Sequence, residues 1–464
     1  MIEIPAHTIA QLLYLVHTDP EELREALGEL RAPDIAEALR ELPPEAAAKV
    51  MAALPFDLAV QVFDEPELTR HRCAIIQLIE PRKVGPLIEA MSADQQADLF
   101  REVPREERPR LLATVSEPTR ASLQKLLQYP PETAGGIMTT EFVSVPSDWG
   151  VEQALRLIRE VGGRKETVYA IYIVDSATQE LVHVVSLREL LTAEREDNVL
   201  DVGNRRPPLT VPADMDREEA ARLISKYNLL ALPVVDDQRR MLGIVTVDDV
   251  IDALVEESTE DVQRFGGMEA LDAPYMEIGF VEMIKKRAGW LCALFLSEML
   301  TATAMQRFQG EIEHAAVLAM FIPLVMSSGG NSGSQATSLV IRALALQELK
   351  LRDWWRIAVR ELPTGLVLGS ILGVIGFTRI VLWQNLHIFS YGPHYLPLAV
   401  AVGFSLVGIV AFGSLAGSML PFLLKRIGFD PASASAPFVA TLVDVTGLVI
   451  YFSVAFLVLH GTLL

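Results

Sequence analysis

From His314 to Ile341, and again from Val381 to Leu424, the chain contains no Asp, Glu, Lys or Arg. A helix needs about 20 mainly apolar residues to cross the hydrocarbon of a bilayer, and inside it every backbone polar group has to be bonded within the segment. Charge-free runs of this length therefore predict membrane helices, and the second is long enough for a loop plus a complete span. Two further apolar segments are each interrupted by a single carboxylate, Glu298 within 288–306 and Asp444 within 436–464, and another covers about 362–384 with Arg379 near one end. Residues 288–464 are thus predicted to form an α-helical membrane domain with five transmembrane helices.

The positions of Lys and Arg give the orientation. Lys285, Lys286 and Arg287 precede the first span, Arg342, Lys350, Arg352, Arg356 and Arg360 lie between the second and third, and Lys425 and Arg426 lie between the fourth and fifth. The remaining connections, QRFQGEIEH and LWQNLHIFSYGPHYLP, hold one Lys or Arg between them. This alternation predicts a multi-pass protein of the plasma (inner) membrane, with residues 1–287 cytoplasmic and the C-terminus outside. The formal net charge of −20 belongs mainly to residues 1–287, which argues against nucleic acid and for cations as partners. Cys73 and Cys292 stand in dissimilar surroundings and read as free thiols. The first residues, MIEIPAHTIAQLLYLVHTDPEE, are acidic and lack a long apolar core, so no signal peptide is read there.

Residues 1–130 read as an all-α array of short amphipathic helices with Pro near each start, as in ELPPEAAAKVMAAL, PFDLAVQVF, SADQQADLFREV and PREERPRLLATV. Pro suits a first helical turn, where its missing N–H would be unpaired anyway, and Leu, Val and Ala recur at helical spacing. A stacked helical array is the natural reading. The next stretch repeats itself. FVSVPSDWGVEQALRLI at 142–158 matches PLTVPADMDREEAARLI at 208–224, and YIVDSATQELVHVVSLRELL at 172–191 is answered by PVVDDQRRMLGIVTVDDVI at 233–251. Each copy reads strand, helix, strand, turn, strand, helix. The pair resembles tandem cystathionine-β-synthase-type (CBS) modules, an α/β sensor unit, over residues 131–262. In that family a Thr/Ser-x-x-Asp signature often holds the ribose of an adenine nucleotide. Thr246 and Asp249 match it in the second copy, Ser186 and Glu189 loosely in the first, which makes ATP or another adenine nucleotide a candidate ligand.

In TVDDVIDALVEESTEDV, Asp248, Asp252, Glu256 and Glu260 are spaced four apart, Asp249, Glu257 and Asp261 fill the adjacent ridge, and no Lys or Arg occurs from Met241 to Gln263. Like charges at this spacing cost a helix roughly a few tenths of a kcal/mol each, and soluble helices normally mix both signs. A solvated acidic face accounts for such a run. Directly before a membrane domain, a second account is that divalent cations bridge it to other carboxylates, such as Asp94, Asp98, Glu132, Asp216 or Glu218.

A charge at the centre of a span costs about 2.5–3.5 kcal/mol on insertion scales and usually faces a cavity or a partner. Asp444 lies seven residues past Pro437, roughly 10 Å into its helix at the usual rise, with no evident Lys or Arg in the spans to pair it. It is a functional candidate, against the alternative of a carboxylate bonded to a neighbouring helix. The second span carries a run of small and amide residues from Ser327 to Gln335. Its glycines predict a loosened helix that lines water, while close helix packing is the structural alternative. The accompanying polar residues favour a pore lining at Gly329, Gly330, Asn331 and Gln335, with Ala440 on the fifth span.

Taken together, the chain resembles the MgtE family of magnesium channels and transporters over nearly its whole length. The parts are a helical N-domain at 1–130, a CBS pair at 131–262, a connecting helix at 263–287 and the five spans at 288–464. GGNSGSQ with the following IRAL, and the pattern DPxxxxxPFVATLVDVTG from Asp430 to Gly447, carry the resemblance. It implies a Mg²⁺-selective, channel-like importer that is a homodimer, with the ion path at the two-fold axis and hydrated Mg²⁺ held by Asp444 of both subunits. It implies regulatory Mg²⁺ at Asp216, Glu218, Asp248, Asp249, Asp252, Glu257, Glu260 and Asp261, with Asp94, Asp98 and Glu132 in the N-domain. These ions would join the acidic faces and close the pore. Two positions depart from the pattern. Ala436 precedes Pro437 where some relatives place a side chain able to bond the ion's water, and Glu298 is not expected.

The physical chemistry agrees. Mg²⁺ sheds water reluctantly and is usually held by one or two carboxylates plus several waters, and carboxylate rings are common cation filters. Softer metals would want clustered Cys or His. Two other classes compete: a secondary divalent-cation transporter coupled to H⁺ or Na⁺ with Glu298 as its coupling carboxylate, and a membrane-tethered nucleotide sensor without transport. No nucleophile–base constellation or phosphate loop is legible, so no enzyme is expected.

Overall fold

Proline opens several of the short helices of the N-terminal array, at Pro33 in Ala32–Arg40, Pro44 in Pro44–Ala53 and Pro81 in Pro81–Ala90. A computed structural model describes residues 6–18, 20–203, 206–310 and 316–460, and the chain divides into two compact units, Met1–Val255 and Glu256–Leu464. In the first unit each helix packs on the next but one: Ala32–Arg40 on Phe56–Asp64, Pro44–Ala53 on Thr69–Ile76, Thr69–Ile76 on Ala93–Glu102, and Ala93–Glu102 on Glu117–Leu126. Their apolar faces, with Ile35, Val50, Phe63 and Phe100 fully buried, form one continuous core.

The internal repeat gives two three-stranded sheets of the same order. In the first, β1 (Val143–Pro146) runs parallel to β2 (Ala170–Val174), which pairs antiparallel with β3 (Leu181–Ser186). In the second, β4 (Val211–Pro212), β5 (Ala231–Val235) and β6 (Met241–Thr246) do the same. Both copies shift register at the same point, after Ile173 and after Val234. The strap at 133–139 ties the helical array to the second copy: Ala134 N–H donates to Met215 O at 2.7 Å, and Gly135 N–H to Ala213 O at 2.8 Å. One core therefore continues from the array into the second repeat.

The acidic segment is a helix, Val247–Phe265. The expected connecting helix at 263–287 is not one helix. Gly267 adopts φ +76° just after Phe265, the left-handed turn that commonly ends helices. Residues 268–279 are largely irregular, and 280–287 form the first turns of a single helix, Phe280–Arg307, that continues as the first span.

Five helices are long and apolar enough to cross a membrane, as expected: Phe280–Arg307, Ala316–Ala345, Leu351–Asn385, Tyr395–Arg426 and Ala436–Leu459. The fourth packs against the second, third and fifth, and the first runs along the fifth. Glycine seams permit this. A Cβ on Gly369 would stand 2.7 Å from Val407 Cα, and one on Gly373 2.8 Å from the Gly403 carbonyl oxygen, so the third and fourth spans meet backbone to backbone.

Candidate functional site

The fifth span starts at a built cap. Ser435 Oγ accepts from Phe438 N–H at 3.3 Å and from Trp290 Nε1–H of the first span at 3.2 Å, with Pro437 in the first turn. Asp444 follows nine residues after the cap, about 13 Å along the axis, and is half-buried. Among the described residues no Lys or Arg pairs with it, and the first span, which carries Glu298, runs along its helix.

The second span lies antiparallel to the fifth beside it. Ser334 Oγ reaches the Ala436 carbonyl at 3.4 Å, a Cβ on Gly330 would touch Ala440 Cβ at 3.4 Å, and Met326 lies against Gly447. This register puts Asp444 level with Met326–Ser327. Exposed Asn331 donates to Ser327 Oγ at 3.4 Å, and Gln335 is exposed one turn further on. A polar stripe of the second span thus flanks the Ala436–Ala440–Asp444 line.

The glycines of this stretch do not loosen the helix, which is unbroken from Ile322 to Ala345. Gly329 is buried against Ile409 and Val443, and a Cβ on Gly333 would stand 2.8 Å from Val439 Cγ1 and 3.1 Å from the Gly413 carbonyl oxygen. Thr337 Oγ1 lies 2.9 Å from the Gly333 carbonyl and 2.8 Å from that of Gly417. Close packing on the fourth span explains Gly329 and Gly333, and the polar surface belongs to Ser327, Asn331 and Gln335.

In the first unit the acidic residues converge. Asp94 is 8% exposed and its Oδ1 has no hydrogen-bond partner. Burial, with Asp64 and Asp98 nearby, pushes its carboxyl up to about 6. Burial raises Asp249 well above the usual range, helped by Asp94, Asp248 and Glu166. Burial likewise carries Glu141 to about 7, with Asp94 and Asp64 adding to it, and Glu166 to about 7, with Asp94, Glu141 and Asp248 adding. Glu65 rises to about 7 by burial and the charges of Glu67, Asp64 and Asp252. The fully buried Arg72 supplies counter-charge to Asp64, Asp98 and Asp94, but its Nη2 donates to the carbonyls of Asp64 and Glu65 and to Gln95 Oε1.

A buried, unsatisfied carboxylate oxygen among carboxyls that resist ionisation fits a hard divalent cation. No three His, Cys, Asp or Glu side chains converge as direct ligands among the described residues, so an ion here would be held with its own waters. Asp64, Glu65, Glu141 and Glu166 join this cluster without having been singled out in the sequence. Asp64 and Glu65 adjoin at the end of the helix Phe56–Asp64, and Glu141 and Glu166 are lone acids on other segments, so no helical spacing marks them.

The remaining sites are spread more widely. Glu132, Asp216 and Glu218 are neighbours: Thr133 bridges Asp216, and Arg217 N–H donates to Glu132 O at 2.9 Å. Asp216 caps its helix by accepting from Glu218 N–H at 2.8 Å, and Glu218 pairs with Arg222. Asp98 pairs with Arg101 at 2.7 Å. Asp248, Asp252, Glu257, Glu260 and Asp261 lie along the acidic helix, where Glu260 is met by Arg264. Thr246 Oγ1 donates to the Asp249 carboxylate. In the first copy Ser186 and Glu189 close on each other as a capping box, Oγ to Oε2 at 2.7 Å.

These features define a multi-pass membrane protein whose charged half combines a helical array with a pair of CBS domains. Family models match in the same order: the MgtE intracellular N domain over 30–132, the CBS domain over 134–196 and 199–256, and a divalent cation transporter domain over 322–454. The chain is 40% identical to the magnesium transporter MgtE of Thermus thermophilus over 96% of both chains. It is 35% identical to that of Enterococcus faecalis over 72% of this chain and 70% of the relative. A solved cytosolic domain of the Mg²⁺ channel MgtE in complex with ATP is 34% identical, with a TM-score of 0.49, over 53% of this chain and 99% of that one. The protein belongs to the MgtE family.

Proposed function

We propose that this protein is a channel-like importer that carries Mg²⁺ across the plasma (inner) membrane past Asp444, and that cytosolic Mg²⁺ closes it. The observation that carries this reading is Asp444 itself: a half-buried carboxylate within a span, with no basic partner among the described residues, flanked by the polar stripe of the second span. A hydrated divalent cation is the partner such a group suits. The full-length likeness to magnesium transporters supports it. In this reading Asn331, Gln335 and Ala440 line the path, whereas Gly330, expected beside them, is buried against Ala440; a second copy of the chain supplies a second Asp444, and residues 1–287 face the cytoplasm.

Regulation rests on the acidic cluster. Asp94, Asp98, Asp248, Asp249 and Asp252, joined by Asp64, Glu141 and Glu166, repel one another when ionised, and divalent cations relieve that repulsion. Glu132, Asp216 and Glu218, and on the sensor helix Glu257, Glu260 and Asp261, are further Mg²⁺ positions. An adenine nucleotide at Thr246 and Asp249 would compete with the cluster for the same carboxylate. A cation transporter coupled to H⁺ or Na⁺ is the second reading, favoured by Glu298, a second carboxylate within the spans, on the helix that runs along the fifth. Mg²⁺ uptake into vesicles without proton or sodium gradients tests the two: channel-like import predicts uptake that follows the Mg²⁺ gradient and membrane potential alone, and coupled transport predicts none.

A further inference from the structure

Three helices of the N-terminal array meet at Arg72. It stands in Thr69–Ile76, is fully buried, and among the described residues makes no ion pair. Its Nη2 donates instead to the carbonyls of Asp64 and Glu65, at 2.9 and 2.8 Å, and to Gln95 Oε1 at 2.8 Å. Those carbonyls close the helix Phe56–Asp64, and the C-terminal end of a helix attracts a cation. Gln95 in turn donates from Nε2 to Oδ2 of Asp94 at 3.2 Å. Asp64 turns both its carboxylate oxygens to the start of Ala93–Glu102: Oδ1 accepts from Ser92 N–H at 3.1 Å and from Ser92 Oγ–H at 3.2 Å, and Oδ2 from the same N–H at 3.4 Å. Asp94 Oδ1 is left buried and without a partner, on a side chain 8% exposed.

We infer that Arg72 and Gln95 are positioning residues that hold Asp94 with its Oδ1 presented to a hydrated divalent cation. The inference rests on the regulatory reading above and adds to it the groups that set the ion's affinity. Polarity makes the relay one-way. A guanidinium has donors only, so an amide that meets it must turn its oxygen inward, and the NH₂ then faces the other way. Gln95 is thereby committed to donating to Asp94, which occupies Oδ2 and leaves Oδ1 for the ion's water. Groups that orient a ligand in this manner change metal affinity by roughly 10–100-fold when removed. Bracing of the array does not call for the amide. Arg72 already joins Thr69–Ile76 to the end of Phe56–Asp64, and Asp64 joins that end to Ser92. Gln95 is itself half-exposed, so neither of its bonds is needed to close the clasp.

The test titrates Mg²⁺ into the full-length protein in detergent and reads two quantities: the thermal midpoint in chelator, and the Mg²⁺ concentration that gives half of the maximal rise in midpoint. Gln95→Met keeps the length of the side chain and removes both bonds. It is expected to raise the half-saturating concentration about ten-fold or more while the midpoint in chelator stays within a few degrees. Arg72→Lys keeps the charge and loses the planar fork, and should move the half-saturating concentration the same way. Combined with Asp94→Asn, Gln95→Met should add no further shift. A half-saturating concentration unchanged in Gln95→Met, whatever happens to the midpoint in chelator, marks bracing alone and overturns the inference while the regulatory reading stands. An undiminished effect of Gln95→Met in the absence of the Asp94 carboxylate does the same. Mg²⁺ that leaves the midpoint of the unaltered protein unmoved, or raises it equally in Asp94→Asn, overturns the regulatory reading and the inference together.

Discussion

Asp94, in the helix Ala93–Glu102, bears on Asp249, in the first turn of the acidic helix: burial holds the Asp249 carboxyl well above the usual carboxylate range, and the Asp94 charge adds to that. Residues distant in sequence are thereby joined by repulsion that something must offset. Removing one charge should relieve it. Asp94→Asn or Asp249→Asn is expected to stabilise the unit by about 1 kcal/mol in the absence of divalent cations, roughly 2–4 °C in thermal midpoint. The same variants should blunt the stabilisation that millimolar Mg²⁺ gives the unaltered protein. Scanning calorimetry in chelator and in Mg²⁺ checks both.

The pH dependence follows from the same carboxyls. Unfolded Asp and Glu ionise near 4, whereas in the folded unit Asp94 is raised to about 6 and Glu65, Glu141 and Glu166 to about 7. The folded state holds more protons in between. Their contribution to stability is therefore complete below about pH 4 and is lost as pH rises through 6 to 7. Carboxyls held low, such as Asp175 by Thr178 and Ala177, act in the opposite sense, and below the unfolded value. Without divalent cations the midpoint should fall between pH 5 and pH 8, and Mg²⁺ should recover it at pH 8 far more than at pH 5. A midpoint insensitive to both would contradict the cluster's role.

How far the sequence foretold this depends on the kind of signal. Spans, repeat and acidic ridge are each carried by local periodicity, and all were legible. The polar stripe and the glycines of the second span read alike as a pore lining, because sequence cannot tell a glycine that faces water from one that admits a neighbouring backbone. Gly329 and Gly333 do the latter. The connecting helix failed at Gly267, whose positive φ depends on what the chain does next. Glu141, Glu166 and Asp64 were invisible because only tertiary packing brings these separate segments to Asp94.

The glycine seams make a stability prediction. Gly369→Leu places a side chain where a Cβ alone would already lie 2.7 Å from Val407 Cα. It should cost about 1–3 kcal/mol, seen as a lower melting point and aggregation in detergent. Gly376→Ala meets the flexible end of Leu406 at 3.0 Å and Val402 Cγ1 at an ordinary 3.7 Å and should be mild.

Glu298 lies in the first span, which runs along the helix that carries Asp444. If its part is to add negative potential beside the path, Glu298→Gln should lower Mg²⁺ flux several-fold at low ionic strength, with the loss shrinking as salt screens the charge. Flux in the unaltered protein that requires a proton gradient, and loses that requirement in the variant, would instead identify Glu298 as a coupling group.

The most direct measurement is Mg²⁺ entry into vesicles containing purified protein, followed with a trapped Mg²⁺ dye, for the unaltered chain and for Asp444→Asn of matched thermal stability. The account predicts entry driven by concentration and potential alone in the first and its loss, by at least about 100-fold, in the second. Entry at the unaltered rate through folded Asp444→Asn would contradict it.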